Sequence, residues 1–170
     1  MRMSWMVPVA VVLCAAGCGI PRYDVEVMMD ESYVGAEGKT PSVEVRLIGV
    51  PAEKVEEYAR MKVSDVFTSP PSSTTTKALT FAHGEPGPQM MARDDDLWQH
   101  WFDRGFANMF VFANLPGVRT TGGEDPRRLG LSIEKADWRG KKIQIVIENP
   151  ASGEGVFLLN RSAYKRVPVK

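Results

Sequence analysis

From Tyr23 to Met29 apolar and polar side chains alternate, with Val25, Val27 and Met29 on one side and Asp24 and Glu26 on the other. A period of two is the mark of a strand with one buried face. After a loop-like stretch from Asp30 to Pro41 containing Gly35 and Gly38, the same period returns: Val43, Val45 and Leu47 against Glu44, Arg46 and Ile48, with Gly49 closing the strand. The period then changes. Pro51 suits the opening of a helix, Glu53 lies in its first turn, and Val55, Tyr58, Ala59 and Lys62 fall three and four apart, so a helix is expected from Ala52 to about Met61. Val63 to Phe67 either continues it or forms a short extended piece, and the Ser, Thr and Pro residues of Thr68 to Thr76 read as an exposed loop.

The second half follows the same logic. Lys77 to Ala82 alternates as a short strand before the turn residues His83 to Pro88. Asp94, Asp95 and Asp96 place capping groups and negative charge at the start of a helix whose apolar face is Leu97, Trp98, Trp101 and Phe102, and Gly105 closes it. Phe106 to Leu115 is almost wholly apolar, as expected of a central strand buried on both faces. Pro116 and Gly117 end it, and Thr120 to Arg127 reads as a loop. Leu129 to Ile133, Lys141 to Glu148 and Gly155 to Asn160 supply three more strands, the last two joined by a hairpin link from Asn149 to Gly155. About seven strands and two helices, without internal repeats, predict a mainly β (α+β) domain: an antiparallel β-sandwich of transthyretin or immunoglobulin type with two helical insertions.

The first seventeen residues obey a different pattern. Arg2 is the only charge before an apolar and small-residue stretch from Trp5 to Gly17, the charged-then-apolar order of an export signal and too short for a permanent membrane span. It closes on Leu13-Cys14-Ala15-Ala16-Gly17-Cys18, which resembles the lipobox of bacterial lipoproteins. That resemblance implies cleavage after Gly17, diacylglycerol on the Cys18 sulfur and an acylated new amino terminus. A plain secretory signal cut at an Ala-x-Ala-like site, or a buried helix carrying two cysteines, is the alternative. Cysteine usage favours the lipobox, since no cysteine follows Cys18 and the single mature thiol lies where a lipid would go. The expected organisation is a signal at 1–17, a lipidated cysteine and short tether at 18–22, and one domain over 23–170. Gly19 after the cysteine, rather than the aspartate that retains Gram-negative lipoproteins in the inner membrane, implies by the same resemblance the periplasmic side of the outer membrane.

Composition then narrows the role. With 44% hydrophobic and 25% charged residues the chain has the make-up of a folded protein. Its 21 basic and 21 acidic residues cancel, and loss of residues 1–17 removes only Arg2 from the count. Without a basic surplus nucleic-acid binding has no electrostatic support. No cofactor is implied, and no Gly-x-Ser-x-Gly, phosphate-loop or Gly-x-Gly-x-x-Gly pattern occurs. His100 shares a helical face with Asp96 and Asp103, but a solvated face is the simpler reading, and the three aspartates at 94–96 suit capping better than a metal. The aromatic cluster of Trp98, Trp101, Phe102, Phe106, Phe110 and Phe112 has core spacing; a partner or ligand contact at Trp98, Trp101 or the turn residue Trp138 is the competing reading.

The order of lipidated cysteine, strand, Val43-to-Leu47 strand, helical insertion, later strands and Ala136-Asp137-Trp138-Arg139 before a strand resembles the type VI secretion system outer-membrane lipoprotein. The resemblance implies a transthyretin-like sandwich that docks onto the periplasmic part of an inner-membrane protein. Three roles follow as expectations: a non-enzymatic envelope component that docks a protein partner, a periplasmic binding or chaperone-like module for peptide, lipid or glycan, and a hydrolase with a dispersed site.

Overall fold

The structure is a computed structural model that describes residues 22–33, 40–69, 71–85, 87–116, 118, 125–133, 142–149 and 155–159. Among the described residues, eight strands form two four-stranded sheets. One sheet has the order β4 (Gln89–Met91), β1 (Val25–Met29), β7 (Ile143–Ile147), β8 (Val156–Leu159). The other has the order β3 (Thr76–Phe81), β2 (Val43–Pro51), β5 (Phe106–Ala113), β6 (Arg128–Ser132). Three short α-helices among the described residues accompany them: α1 (Val55–Arg60), α2 (Val63–Thr68) and α3 (Leu97–Asp103), so the fold is mixed α/β with a sandwich-like arrangement.

The alternating residues face one shared core. Val25, Val27, Ile143, Ile145 and Met91 come from the first sheet, and Val43, Val45, Leu47, Phe81, Met109 and Val111 from the second; all are fully buried in a single cluster. The polar member of β1 points the other way: Glu26 accepts hydrogen bonds from Lys142 Nζ at 2.9 Å and Gln144 Nε2 at 2.8 Å.

The doubly buried β5 has a concrete cause. Its Met109, Val111 and Ala113 enter the inter-sheet core, while Phe110 and Phe112 join Ile48 and Val50 of β2 on the opposite face. There α1 and α2 cover them with Val63 and Val66, supported by Val55, Tyr58, Ala59 and Phe67. Ile48, which the alternation placed among polar neighbours, is therefore buried in a second core. Two arginines pin this helical layer: Arg46, paired with Glu44, lies over the Phe67 ring and donates to the Val66 carbonyl, and Arg128 donates to the Met61 carbonyl at 2.9 Å.

Four expectations need correction. The sheet is not purely antiparallel, because β1 and β7 pair in parallel from Val25↔Ile143 to Met29↔Ile147. An eighth strand, β4, occupies Gln89–Met91, a stretch between the expected turn and helix for which no element was expected; three residues are too few to show a period, and pairing with β1 creates the strand. The helix expected over Ala52 to Met61 is split into a 3-10 turn at Ala52–Lys54 and α1. Val63 onward starts a separate helix, α2, because Met61 and Lys62 are extended (ψ 136° and 130°), so the two expected helical insertions contain three helices.

Candidate functional site

The strand directions give the sandwich two poles. At one lie Arg22 and Tyr23, the start of β1, the end of β4, the whole of α3, the start of β5 and the start of β7. At the other lie Tyr33, Thr40, the described residues of the β3–β4 turn, Asn114 to Pro116, the end of β7 and the start of β8. The second pole is closed by backbone hydrogen bonds: Gly84 N–H to Thr40 at 3.0 Å, Asn114 N–H to Glu44 at 2.8 Å, Val156 N–H to Pro126 at 2.8 Å and Glu148 N–H to Gly155 at 2.7 Å.

The first pole is built around α3. Asp95, rather than Asp96, supplies the capping carboxylate: its Oδ1 accepts from Leu97 N–H at 3.1 Å and its Oδ2 pairs with Lys77 at 2.6 Å. Trp98 and Trp101 project inward and meet edge to face with centroids 5.2 Å apart. Each indole N–H is satisfied, Trp98 by the Ala92 carbonyl at 3.1 Å and Trp101 by the Thr75 carbonyl at 3.2 Å. Tyr23 packs edge to face on Trp98 at 5.8 Å, which ties the start of the domain to α3. Next to it, Asp24 accepts from the Arg93 backbone N–H at 2.9 Å and from its Nε at 3.0 Å. The Arg93 side-chain and backbone hydrogen bonds hold the Asp24 carboxyl below its ordinary value, helped by the charges of Arg93 and Lys142 and opposed by burial.

The residues singled out from sequence separate accordingly. Trp98 and Trp101 are both 0% exposed, so the structure places them in the core and presents neither indole at a surface. Gly17, Cys18 and Trp138 lie outside the described residues. His83 is exposed on the β3–β4 turn and His100 on α3, at opposite poles. Among the described residues no group of three or more His, Cys, Asp or Glu side chains is arranged to hold a metal ion, and Asp103 accepts instead from Gln99 Nε2 at 2.7 Å. Met90, 52% exposed, is the large hydrophobic residue at the described surface, and no described helix is long and apolar enough to cross a membrane.

Two structural roles escaped sequence reasoning. Gly49 lies beneath Trp101: a Cβ there would sit 2.6 Å from three indole atoms. Arg46 and Arg128 hold the helical layer by its carbonyls. An arginine in an outward-facing alternation ordinarily means solvent, and only the apolar Ile48 and Val50 farther along β2 hinted that this face is covered.

The arrangement thus defines a sandwich-like protein in which the described surface is polar, the described aromatic residues of α3 serve packing, and no metal-holding or catalytic cluster is assembled among the described residues. No protein-family model matches the chain, and no curated protein is significantly similar to it in sequence. Solved structures are similar in fold. A chain in the structure of the T6SS protein TssM C-terminal domain from EAEC superposes with a TM-score of 0.51 and 15% identity, over 81% of this chain and 97% of that one. Lip from Serratia marcescens, a membrane-bound component of the Type VI Secretion System, gives 0.51 and 11%, over 83% and 98%. A chain of a Type VI membrane complex gives 0.50 and 14%, over 83% and 99%. At such identities the likeness is one of fold. The descriptions name parts of a secretion apparatus, and none names an enzyme.

Proposed function

We propose that the chain is a non-enzymatic envelope protein, lipid-anchored through Cys18, whose sandwich serves as a docking or structural component of a secretion-type membrane assembly. One observation carries this reading: the fold is similar to that of a membrane-bound Type VI component over 83% of the chain, and the candidate lipobox ends five residues before Tyr23, the first buried one among the described residues. The finer features go with it: a signal at 1–17 removed after Gly17, a tether at 18–22, a single transthyretin-like domain over 23–170, and a place on the periplasmic side of the outer membrane. Acyl chains on one cysteine suffice for stable attachment, since each buried methylene contributes about 0.8 kcal/mol. The ligand-binding alternative has less support, because the indoles that would line a groove on α3 are fully buried with their N–H groups satisfied.

The test is a Cys18→Ser variant expressed beside the unaltered chain in a diderm bacterium. The unaltered protein should incorporate a fatty-acid label and fractionate with outer membranes, and the variant should do neither. Identical processing and fractionation of both would overturn the anchor. Co-purification of the unaltered protein with the periplasmic part of a type VI inner-membrane protein tests the docking role, and its failure in a strain that holds a complete secretion apparatus would leave an anchored protein without that function.

A further inference from the structure

We infer that the α3 pole of the sandwich faces a lipid bilayer surface and that the β3–β4 turn pole points away from it, an orientation that rests on the proposed acylation of Cys18. Four residues, Gly19 to Arg22, separate that cysteine from Tyr23. At about 3.6 Å per extended residue, the five steps from Cys18 to Tyr23 reach no more than about 18 Å.

The tether has no slack at its domain end. Tyr23 is 2% exposed and locked against Trp98, Asp24 is held by Arg93, and Arg22 Nη2 donates to Gln99 Oε1 at 2.9 Å. Immediately beyond, β1 is paired on both sides, with β4 and with β7. The chain therefore leaves the fold at α3, in a fixed place.

Strand length separates the two poles. β2 runs nine residues from the far pole to the α3 pole, about 30 Å at roughly 3.3 Å per residue. That exceeds the reach of the tether, so a bilayer holding Cys18 meets α3 first. The described residues of this pole suit headgroups rather than acyl chains: Arg22, Arg93, Asp96, His100, Asp103 and Arg104 are all exposed. Mixed charge gives little net attraction, and no large apolar side chain on the described part of α3 is exposed to enter the hydrocarbon. Among the described residues there is no membrane-binding patch, so the tether sets the orientation, and the far pole is the one turned toward a protein partner.

The experiment uses the full chain, processed in cells, purified and reconstituted into vesicles of phosphatidylethanolamine and phosphatidylglycerol carrying a headgroup-nitroxide lipid. Single cysteines at His100→Cys and Arg104→Cys mark the α3 pole, and those at His83→Cys and Glu85→Cys mark the far pole; two per pole guard against one misfolding. Each is labelled with a thiol-reactive fluorophore, and the unsubstituted protein, with Cys18 acylated, should take up none. The α3-pole labels should be quenched several-fold more than the far-pole labels. Equal or reversed quenching in protein that floats with the vesicles would overturn the orientation while leaving the anchor standing. Protein that fails to float, or that labels at Cys18, would remove the anchor and the orientation together.

Discussion

Replacing Gly49 by alanine should destabilise the domain through a single contact. The added methyl would lie 2.6 Å from Cδ1, Cδ2 and Cε2 of Trp101, about 1 Å inside ordinary van der Waals separation. The indole has nowhere to retreat: it is 0% exposed, wedged edge to face against Trp98, and its N–H donates to the Thr75 carbonyl. That same oxygen accepts the Gly49 N–H at 3.0 Å, so a shift of the ring loosens the junction of β2 with the start of β3. Overpacking of this kind costs about 1–3 kcal/mol, and weakening the indole hydrogen bond adds about 0.5–1.5 kcal/mol. The expected loss is roughly 2–4 kcal/mol, which for a chain of this size lowers Tm by roughly 4–16 °C. Thermal or urea unfolding, followed by near-ultraviolet circular dichroism of the indoles, measures it. A double-mutant cycle makes the attribution specific. In a Trp101→Leu background, itself destabilised, Gly49→Ala should cost under about 0.5 kcal/mol because the facing ring is gone. A Gly49→Ala protein as stable as the unaltered one, or one equally destabilised in both backgrounds, would refute the contact as the cause.

Other expectations follow from the same geometry. Gly155 has φ +85° and a Cβ there would sit 2.2 Å from the Pro126 carbonyl oxygen, whereas Gly84, at φ +76°, has open space. Gly84→Ala should cost about 1–2 kcal/mol of backbone strain, and Gly155→Ala distinctly more, read as the difference between their unfolding midpoints. The Arg93 hydrogen bonds that depress the Asp24 carboxyl make its contribution complete above its ordinary value of 3.8 and lost as pH falls through the lower folded-state value. Asp125 behaves alike: burial raises it, but hydrogen bonds and charge from Arg127, with the charge of Arg128, outweigh that and lower it. The double variant Asp24→Asn/Asp125→Asn should therefore show a flatter loss of Tm below about pH 4 than the unaltered protein. Burial pushes the Tyr33 phenol from 10.0 up to about 12, so stability should fall as pH rises from the first value through the second. Tyr33→Phe should remove that alkaline dependence, and an unchanged alkaline profile would show that Tyr33 is not its source.

The periodic strands at Val25, Val43, Leu79 and Ile143, and the Asp-capped tryptophan helix, were legible in the sequence because each buries one face and repeats its spacing locally. The Phe106-to-Ala113 run was equally legible as doubly covered, although the spacing did not say that α1 and α2 provide the second cover. The core role of Trp98 and Trp101 was likewise open to reading from their i, i+3 positions, whereas their possible exposure was decided only by packing. The proposed address rests on Gly17 and Cys18 as a local motif, which is read without reference to any folded partner.

Tertiary structure alone decided the rest. The parallel pairing of Val25–Met29 with Ile143–Ile147 joins segments more than a hundred residues apart, and the three-residue Gln89–Met91 strand exists because β1 offers it hydrogen bonds. Gly49 looked like a strand end and proved to be the seat of an indole from a helix fifty residues away; Arg46 looked solvated and proved to hold a helix. Local spacing records which side of an element is apolar, because burial selects for it along the chain. It carries no record of which distant element does the burying, and that choice belongs to the packed whole.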